Sequence, residues 1–290
     1  MNYFFHIIIM INIYIVLTVS SNLLVGMTNL LSLGQAAFYG IGAYFSVLAL
    51  TTLNLPLIPS LIVAMLATGV FSLLLALTSL RLKNDYFVLS TLGFQIITFS
   101  VLYNWISVTK GPYGIPGIPA PKLLGIFQVS GIIPFLIFST VMSLFTIFIF
   151  YYLINSPFGR LLKAMREDEL ALITLGKNIT SLKIQTFAIS SSFIAIAGFL
   201  YATYVTYIDP SSFNLDESIF ILSALLIGGL GNIKGPVVGS IFVILLPEIL
   251  RFVGLPDSIA ANMRQIIYGL ILIILMRFKP EGLAGNYRIK

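Results

Sequence analysis

The long uncharged stretch at the start of this sequence limits its fold more than any other feature. No Asp, Glu, Lys or Arg occurs before Arg81, so eighty successive residues offer no ionic group to water. Soluble domains carry roughly 25% charged residues. The whole chain has 9% charged and 58% hydrophobic residues, with a mean hydropathy of +1.03. These values exclude an ordinary soluble domain and predict a membrane protein.

The apolar runs have the length of membrane-spanning helices. Roughly 20 apolar residues cross the hydrocarbon core as one helix, and Gly, Pro, Asn and Ser divide the runs where charges do not. We therefore predict an all-α fold, a polytopic transmembrane helix bundle of about nine spans (eight to ten), as one domain over residues 1–290. The predicted spans are residues 3–19, 34–53, 57–80, 86–107, 132–154, 184–208, 218–230, 236–253 and 265–278.

The first predicted span raises two questions of its own. Residues 1–20 lack the basic region and the small-residue cleavage site of a secretory signal, so we predict that they remain as a span. The apolar residues 23–31 are either a re-entrant segment or an extension of that span.

The basic residues predict how the bundle is oriented. The sixteen Lys and Arg residues stand singly at the ends of apolar runs, not in the clusters that nucleic acid would require. With the loop 155–183 taken as cytoplasmic, twelve lie inside, and the four outside are Lys110, Lys122, Arg251 and Arg264. Cytoplasmic loops carry the excess of Lys and Arg. The pattern therefore predicts a cytoplasmic C-terminus and an outer N-terminus.

Two loops are long enough to have a role. The outer loop, residues 108–131, is rich in Gly and Pro, which resist helix formation, and is predicted to be a turn-rich cap or a plain connector. In the inner loop, residues 155–183, Ser156 before Pro157 predicts a helix start and Gly176 a stop. One helix should join them, carrying charges and the apolar residues Leu162, Met165, Leu170, Leu172, Ile173 and Leu175. Docking onto a cytoplasmic partner explains it better than lying on lipid, because its acidic residues would be repelled by an anionic leaflet.

Residues suited to catalysis, metal binding or ion coupling are scarce. The chain has no Cys, its one His is His6, and residues around Gly176 do not form a phosphate-binding loop. Predicted spans two to six contain no charged residue, although coupled carriers usually place one there. We predict no cofactor, no metal site and no enzyme activity. Glu248 is expected to form an interface ion pair with Arg251, with a substrate or gating role as the alternative.

Glycine and small residues recur at helical spacing in two regions. They either allow close helix packing or mark broken helices that line a translocation path. The candidate residues are Gly34, Gln35, Gly40, Gly42, Gly228, Gly229, Gly231 and Gly235.

Five stretches together resemble one known family, the permease subunits of branched-chain amino acid ABC transporters of the LivM type. They are residues 31–44 (LSLGQAAFYGIGAY), 80–87 with 91–94 (LRLKNDYF, TLGF), 114–119 (GIPGIP), 156–176 (SPFGR to LG) and 228–239 (GGLGNIKGPVVG). The resemblance covers most of the chain after the first span.

The resemblance implies the passive half of an ATP-driven importer in a bacterial plasma membrane. Its partners would be two cytoplasmic ABC ATPase subunits, a second related permease and an extracytoplasmic substrate-binding protein, with no nucleic acid. By analogy, the residues coupling the permease to the ATPase are Arg166, Glu167, Asp168, Glu169, Leu170, Ala171 and Gly176. Residues 172–174 (LIT) depart from the family's alanine-rich sequence at this point, so the fit to the ATPase is expected to be partner-specific.

The substrate implied by the resemblance is leucine, isoleucine or valine. Relatives of similar sequence carry urea or short amides, which is the first alternative. A stand-alone channel or facilitator is the second alternative.

Overall fold

The computed structural model describes residues 2–79, 82, 84–119, 122–123, 127–128, 131–252, 266–267, 269–270, 273, 277 and 281–285. The helices are α1 (Asn2–Thr28), α2 (Gln35–Thr51), α3 (Leu57–Ser79), α4 (Asn84–Asn104), α5 (Ile106–Thr109), α6 (Ile132–Asn155), α7 (Pro157–Glu167), α8 (Glu169–Thr174), α9 (Ile179–Val205), α10 (Leu215–Gly228) and α11 (Lys234–Phe252). The strands are β1 (Ile115–Pro116), β2 (Lys122–Leu123), β3 (Phe127–Gln128) and β4 (Tyr207–Ile208), with 3₁₀ turns at Gly111–Tyr113 and Pro210–Phe213.

The prediction of an all-α membrane bundle is confirmed. Within the described residues, α1, α3, α4, α6 and α9 are long and apolar enough to cross a membrane, and α2 is a shorter apolar helix. The predicted last span, residues 265–278, lies mostly outside the described residues. The count of nine spans therefore stays a prediction.

Helix α1 is longer than the first predicted span. It runs without a break to Thr28, so most of the apolar piece 23–31 is an extension and not a re-entrant segment. Nearly every residue from Ile13 to Thr28 is buried. By contrast, α3, α4 and α6 each leave a row of large apolar side chains exposed, as helices facing lipid do. Helix α1 therefore lies inside the bundle.

Glycines bring α2 and α9 into backbone contact. A Cβ built on Gly42 would lie 2.5 Å from Ala195 Cα, and one built on Gly198 would lie 2.5 Å from the Tyr39 carbonyl oxygen. Small residues allow this approach in lipid, where packing replaces the hydrophobic effect as the driving force between helices. At Gly42 the close-packing interpretation is the one the geometry supports.

Polar contacts set the register of α1 against α10 and α11. A buried pair joins Thr18 Oγ1 and Ser240 Oγ at 2.6 Å. In order along α1, the hydrogen bonds run from Tyr3 to Glu248, Tyr14 to Glu217, Thr18 to Ser240 and Asn22 to the Asn232 carbonyl. Helix α10 therefore begins near the middle of α1 and runs toward the C-terminal end of α1. Helix α11 then runs back along α1 in the opposite direction.

Two short helices, α2 and α10, begin inside the bundle. Residues 29–34, which precede α2, are not helical, yet they are buried or half-buried. The Leu33 amide donates to Thr91 Oγ1 at 3.0 Å. The Ala36 amide donates to Ser218 Oγ at 2.9 Å, so the N-termini of α2 and α10 meet inside the bundle. Irregular backbone is tolerated at this depth where protein surrounds it.

The prediction of residues 218–230 as a full span is wrong. Helix α10 has 14 residues, which is about 21 Å at 1.5 Å per residue. That length falls short of a hydrocarbon core of roughly 30 Å. Helix α10 is therefore a half-length helix that starts within the bundle.

The described residues of the loop 108–131 form turns and two-residue strands and, after Thr109, no α-helix, in agreement with their Gly and Pro content. Strand β1 pairs antiparallel with β4, with Ile115 opposite Ile208 and Pro116 opposite Tyr207. Gly114 has φ +67°, and a Cβ there would lie 2.4 Å from the Ile208 carbonyl oxygen, so this position requires glycine. The sequence contained no signal for this long-range pairing, because each strand is only two residues long.

We predict that Gly42→Ala destabilises the bundle, because the new methyl group must push α2 away from α9. Overpacking of this kind costs about 1–3 kcal/mol. The measurement is thermal unfolding of the purified protein in detergent. Gly93→Ala is the matched control, since a Cβ at Gly93 would meet no atom of a neighbouring segment within 4 Å. Equal unfolding temperatures for the two variants would contradict the contact.

Candidate functional site

The bundle carries functional candidates at its two ends. Helices α7 and α8 lie at the C-terminal end of α1, where Arg166 reaches the Gly26 carbonyl. The paired strands β1 and β4 lie at the opposite end, where His6 of α1 stacks on Tyr204 just before β4. The predicted inner and outer loops are thus on opposite ends of the molecule.

Helix α7 starts where the sequence predicts. The Ser156 side chain accepts a hydrogen bond from the Gly159 amide at 3.3 Å, and Pro157 occupies the first helical position. This arrangement satisfies one of the free N–H groups at the helix start. Gly176 has φ +73°, in agreement with its predicted role as a helix stop.

The prediction of one continuous helix from Pro157 to Leu175 is wrong. Helix α7 ends at Glu167, and Asp168 adopts an extended conformation with φ −153°. The Asp168 side chain then accepts hydrogen bonds from the amides of Leu170 and Ala171 at 2.9 and 3.1 Å. Aspartate prefers such a cap to a helix interior, because its carboxylate competes for backbone N–H groups.

The two helices divide their apolar residues between two faces. Leu162, Met165 and Leu172 are buried against the bundle. On α8 and its C-terminal cap, Leu170 is 73% exposed, Ile173 55% and Leu175 72%. We call the exposed residues Leu170, Ala171, Ile173 and Leu175 the α8 surface. Large apolar groups at the end of a bundle, beyond its lipid-facing helices, are typical of a protein interface.

The structure separates Arg166 from the other predicted coupling residues. Its side chain is only 10% exposed, and Nη1 donates to the Gly26 carbonyl oxygen at 2.8 Å. Nη2 lies 3.4 Å from Glu167 Oε1. A cation suits this position, because the last carbonyls of a helix lack intrahelical partners and carry partial negative charge. Arg166 thus fastens α7 to the end of α1.

The remaining predicted coupling residues lie at the surface. Glu169 Oε1 pairs with Lys183 Nζ at 2.6 Å, which ties α8 to the start of α9. The exposed members of the set are Glu167, Asp168, Glu169, Leu170, Ala171 and Gly176.

The predicted path residues near the turn between α10 and α11 pack closely. A Cβ on Gly235 would lie 1.9 Å from the Gly229 carbonyl oxygen, and one on Gly228 would lie 2.0 Å from the Gly235 carbonyl oxygen. Gly229 and Gly231 have φ values of +102° and +88°. A side chain at any of these four positions is therefore excluded by contact or strained by the backbone conformation.

The predicted path residues near α2 are also surrounded by protein. A Cβ on Gly34 would lie 3.3 Å from the Thr91 carbonyl oxygen, and one on Gly40 would lie 3.0 Å from Phe213. Gln35 is fully buried. The bundle also contains a large cavity, described next. Among the described residues, none of the eight predicted path residues lines it.

This cavity has a volume of about 800 Å³ and lies between α1, α10 and α11, on the same side of Glu217 as the β1–β4 end. Its lining includes two carboxylates bound to tyrosines of α1: Tyr14 Oη donates to Glu217 Oε1 at 2.5 Å, and Tyr3 Oη donates to Glu248. The sequence analysis missed Glu217, which immediately precedes a predicted span. The available signal was Asn214, whose side chain caps α10 by accepting from the Glu217 amide at 3.1 Å.

The predicted ion pair between Glu248 and Arg251 stays a prediction. The structure shows Glu248 bound to Tyr3, and the side chain of Arg251 lies outside the described residues.

Apolar helices long enough to cross a membrane, a polar cavity between them and a helical element at one end suit a membrane transport protein. The profile of the family "Branched-chain amino acid transport system / permease component" matches residues 3–276, and the chain belongs to this family.

Curated relatives agree with this assignment. The high-affinity branched-chain amino acid transport system permease protein LivM of Salmonella typhimurium is 30% identical over 95% of this chain and 68% of its own length. The probable LivM of Methanocaldococcus jannaschii is 30% identical over 78% of this chain and 68% of its own. BraD of Pseudomonas aeruginosa is 24% identical over 96% and 93%. No solved structure matches the chain significantly.

We predict that Arg166→Ala loosens α7, because the last turn of α1 loses its charged donor. A hydrogen bond to a charged group contributes about 1.5–3 kcal/mol, so amide hydrogen exchange over Pro157–Glu167 should accelerate about tenfold or more. Arg160→Ala is the control, since Arg160 is exposed on the same helix. Unchanged exchange in Arg166→Ala would show that the contact is not structural.

Proposed function

We propose that this chain is the permease subunit of an ATP-driven importer for branched-chain amino acids. The observation that carries the proposal is the α8 surface: Leu170, Ile173 and Leu175 stand exposed on a helix attached to the membrane bundle. Family membership makes a partner ATPase the natural occupant of this surface. ATP hydrolysis would take place in that partner.

The route of coupling follows the contacts of α7. An ATPase that moves the α8 surface also moves α7, because Asp168 joins the two helices directly. Arg166 passes this movement to the end of α1. Helix α1 has 27 residues, about 40 Å, and its other half lines the cavity. One rigid helix therefore connects the docking surface to the cavity.

The same proposal sets the partners and the orientation. The α7–α8 end faces the cytoplasm, in line with the excess of Lys and Arg predicted there, and the C-terminus is cytoplasmic. The complex contains two ATPase subunits, a second related permease and an extracytoplasmic binding protein that docks at the β1–β4 end. The protein is a multi-pass component of a bacterial plasma membrane.

The substrate is leucine, isoleucine or valine. Support comes from the relatives, whose names state branched-chain amino acid transport. Much of the specificity would belong to the binding protein, so ligand binding by that protein tests the assignment. Tight binding of urea without binding of leucine would replace branched-chain amino acids by urea as the substrate.

We predict that the double variant Leu170→Asp, Ile173→Asp no longer binds the partner ATPase. Its two new charges would have to be buried, without partners, in an apolar groove of that ATPase. The measurement is co-purification of the ATPase with a C-terminally tagged chain, together with ATP-dependent leucine import into proteoliposomes. Both should fall at least about tenfold.

Leu82→Asp is the control for this test, since Leu82 is an exposed apolar residue in the connection between α3 and α4, outside α7 and α8. A double variant that retains its ATPase and imports leucine normally would refute the docking role. Leucine flux through the purified chain without ATP or any partner would identify a channel instead.

A further inference from the structure

The cavity between α1, α10 and α11 is lined by carboxyl groups that no described lining residue balances with a cation. Asp216, Glu217 and Glu248 line it, and none of its described lining residues is Lys or Arg. His6, its one histidine, is hydrogen-bonded to Tyr204 at 2.8 Å. A cleft lined by charges of one sign concentrates ligands of the opposite sign. The cavity therefore favours a cationic group.

Glu217 is the carboxylate at the deep end of the cavity. Tyr14 Oη donates to its Oε1 at 2.5 Å and so holds the group in a defined orientation near the middle of α1. A carboxylate can accept about four hydrogen bonds, so this contact leaves capacity for an ammonium group. In transporters, substrate sites lie near the membrane midplane beside the N-termini of discontinuous helices, and α10 begins at this level.

Apolar side chains from three helices also line the cavity. Ile7 and Met10 come from α1, Ile219 and Phe220 from α10, and Ile244 from α11. Such a surface fits an aliphatic side chain of several carbons. The volume of about 800 Å³ is that of a small-molecule site, for which roughly 300–1,000 Å³ is usual.

Neutral hydrogen-bond donors line the cavity close to Glu217. They are the hydroxyl group of Ser211 and the side-chain amide of Asn214, which has two N–H donors, one of them 3.4 Å from Asp216 Oδ2. The Ser212 hydroxyl also lines the cavity, but its proton is donated to Asp209 Oδ1 at 2.5 Å. Ser211 and Asn214 can donate to a ligand carboxylate without adding positive charge. The carboxyl groups of the lining repel the ligand carboxylate. The contact between Glu217 and the ligand ammonium group therefore has to supply most of the electrostatic attraction.

From this geometry we propose that the cavity is a solute-binding site within the permease itself, for an aliphatic amino acid. Glu217, oriented by Tyr14, binds the α-ammonium group. Ser211 and Asn214 face the carboxylate, and the apolar lining residues hold the branched side chain. This site rests on the proposed function and adds that the permease itself binds the substrate after the binding protein has released it.

The test uses the full transporter complex in lipid nanodiscs and a leucine analogue with a photoreactive diazirine in its branched side chain. Labelled peptides are mapped by mass spectrometry. We expect labelling on the α1 residues Ile7 and Met10 and the α10 residues Ile219 and Phe220. Excess leucine or isoamylamine, which keeps the ammonium group, should suppress labelling, whereas isocaproate, which lacks it, should not.

Glu217→Gln and Tyr14→Phe are the variants for this test. Loss of a charged hydrogen-bond partner should raise the leucine concentration needed for half-maximal protection by about tenfold for Glu217→Gln and less for Tyr14→Phe. Asp85→Asn is the matched control, since Asp85 is exposed at the start of α4, away from the cavity. The ligand competition is measured on the unaltered protein, so it remains decisive if a variant fails to fold.

ATP-dependent leucine import by the same complex separates the two proposals. Normal import with labelling elsewhere, or with protection by isocaproate as strong as by isoamylamine, rejects the cavity site and leaves the proposed function standing. No leucine import by the unaltered complex rejects the proposed function and the amino acid site together.

Discussion

The structure depends on helix α1 being held inside the bundle by polar contacts along its length. Within lipid, apolar side chains gain little by leaving the membrane for a helix interface, so hydrogen bonds and close packing must set the register. The pair between Thr18 and Ser240 is buried, and Tyr14 to Glu217 places the start of α10 at the middle of α1. A shift of one turn along α1 would break every one of these contacts at once.

This placement links the two candidate functional regions of the molecule, the α8 surface and the cavity. One end of α1 receives Arg166 of α7, and the other half of α1 contributes His6, Met10 and Tyr14 to the cavity. The apolar α8 surface and the acidic cavity are chemically unrelated, and they share only this helix. The proposed mechanism depends on this connection, because movement of a partner at one end has to change access to solute elsewhere.

Much of the fold could be predicted from the sequence, because length and hydropathy define a membrane helix without reference to its neighbours. The bounds of α2, α3 and α6 differ from prediction by at most two residues at either end. Predictions failed where a local group competed with the helix, as at Asp168, or where a neighbouring element decided the depth, as for α10. Arg166 was predicted as a coupling residue, but its inward direction follows from the position of Gly26, 140 residues away in sequence.

The sequence alone therefore determined that this chain crosses a membrane as apolar helices, and where its long loops and most helix ends lie. Those properties follow from local composition and from caps such as Ser156 and Gly176. Tertiary structure alone decided that Glu217 meets Tyr14 beside a cavity, that β1 pairs with β4, and that glycines such as Gly42 serve packing. These features depend on contacts between residues far apart in the chain, and charge and spacing along a sequence carry no information about such distances.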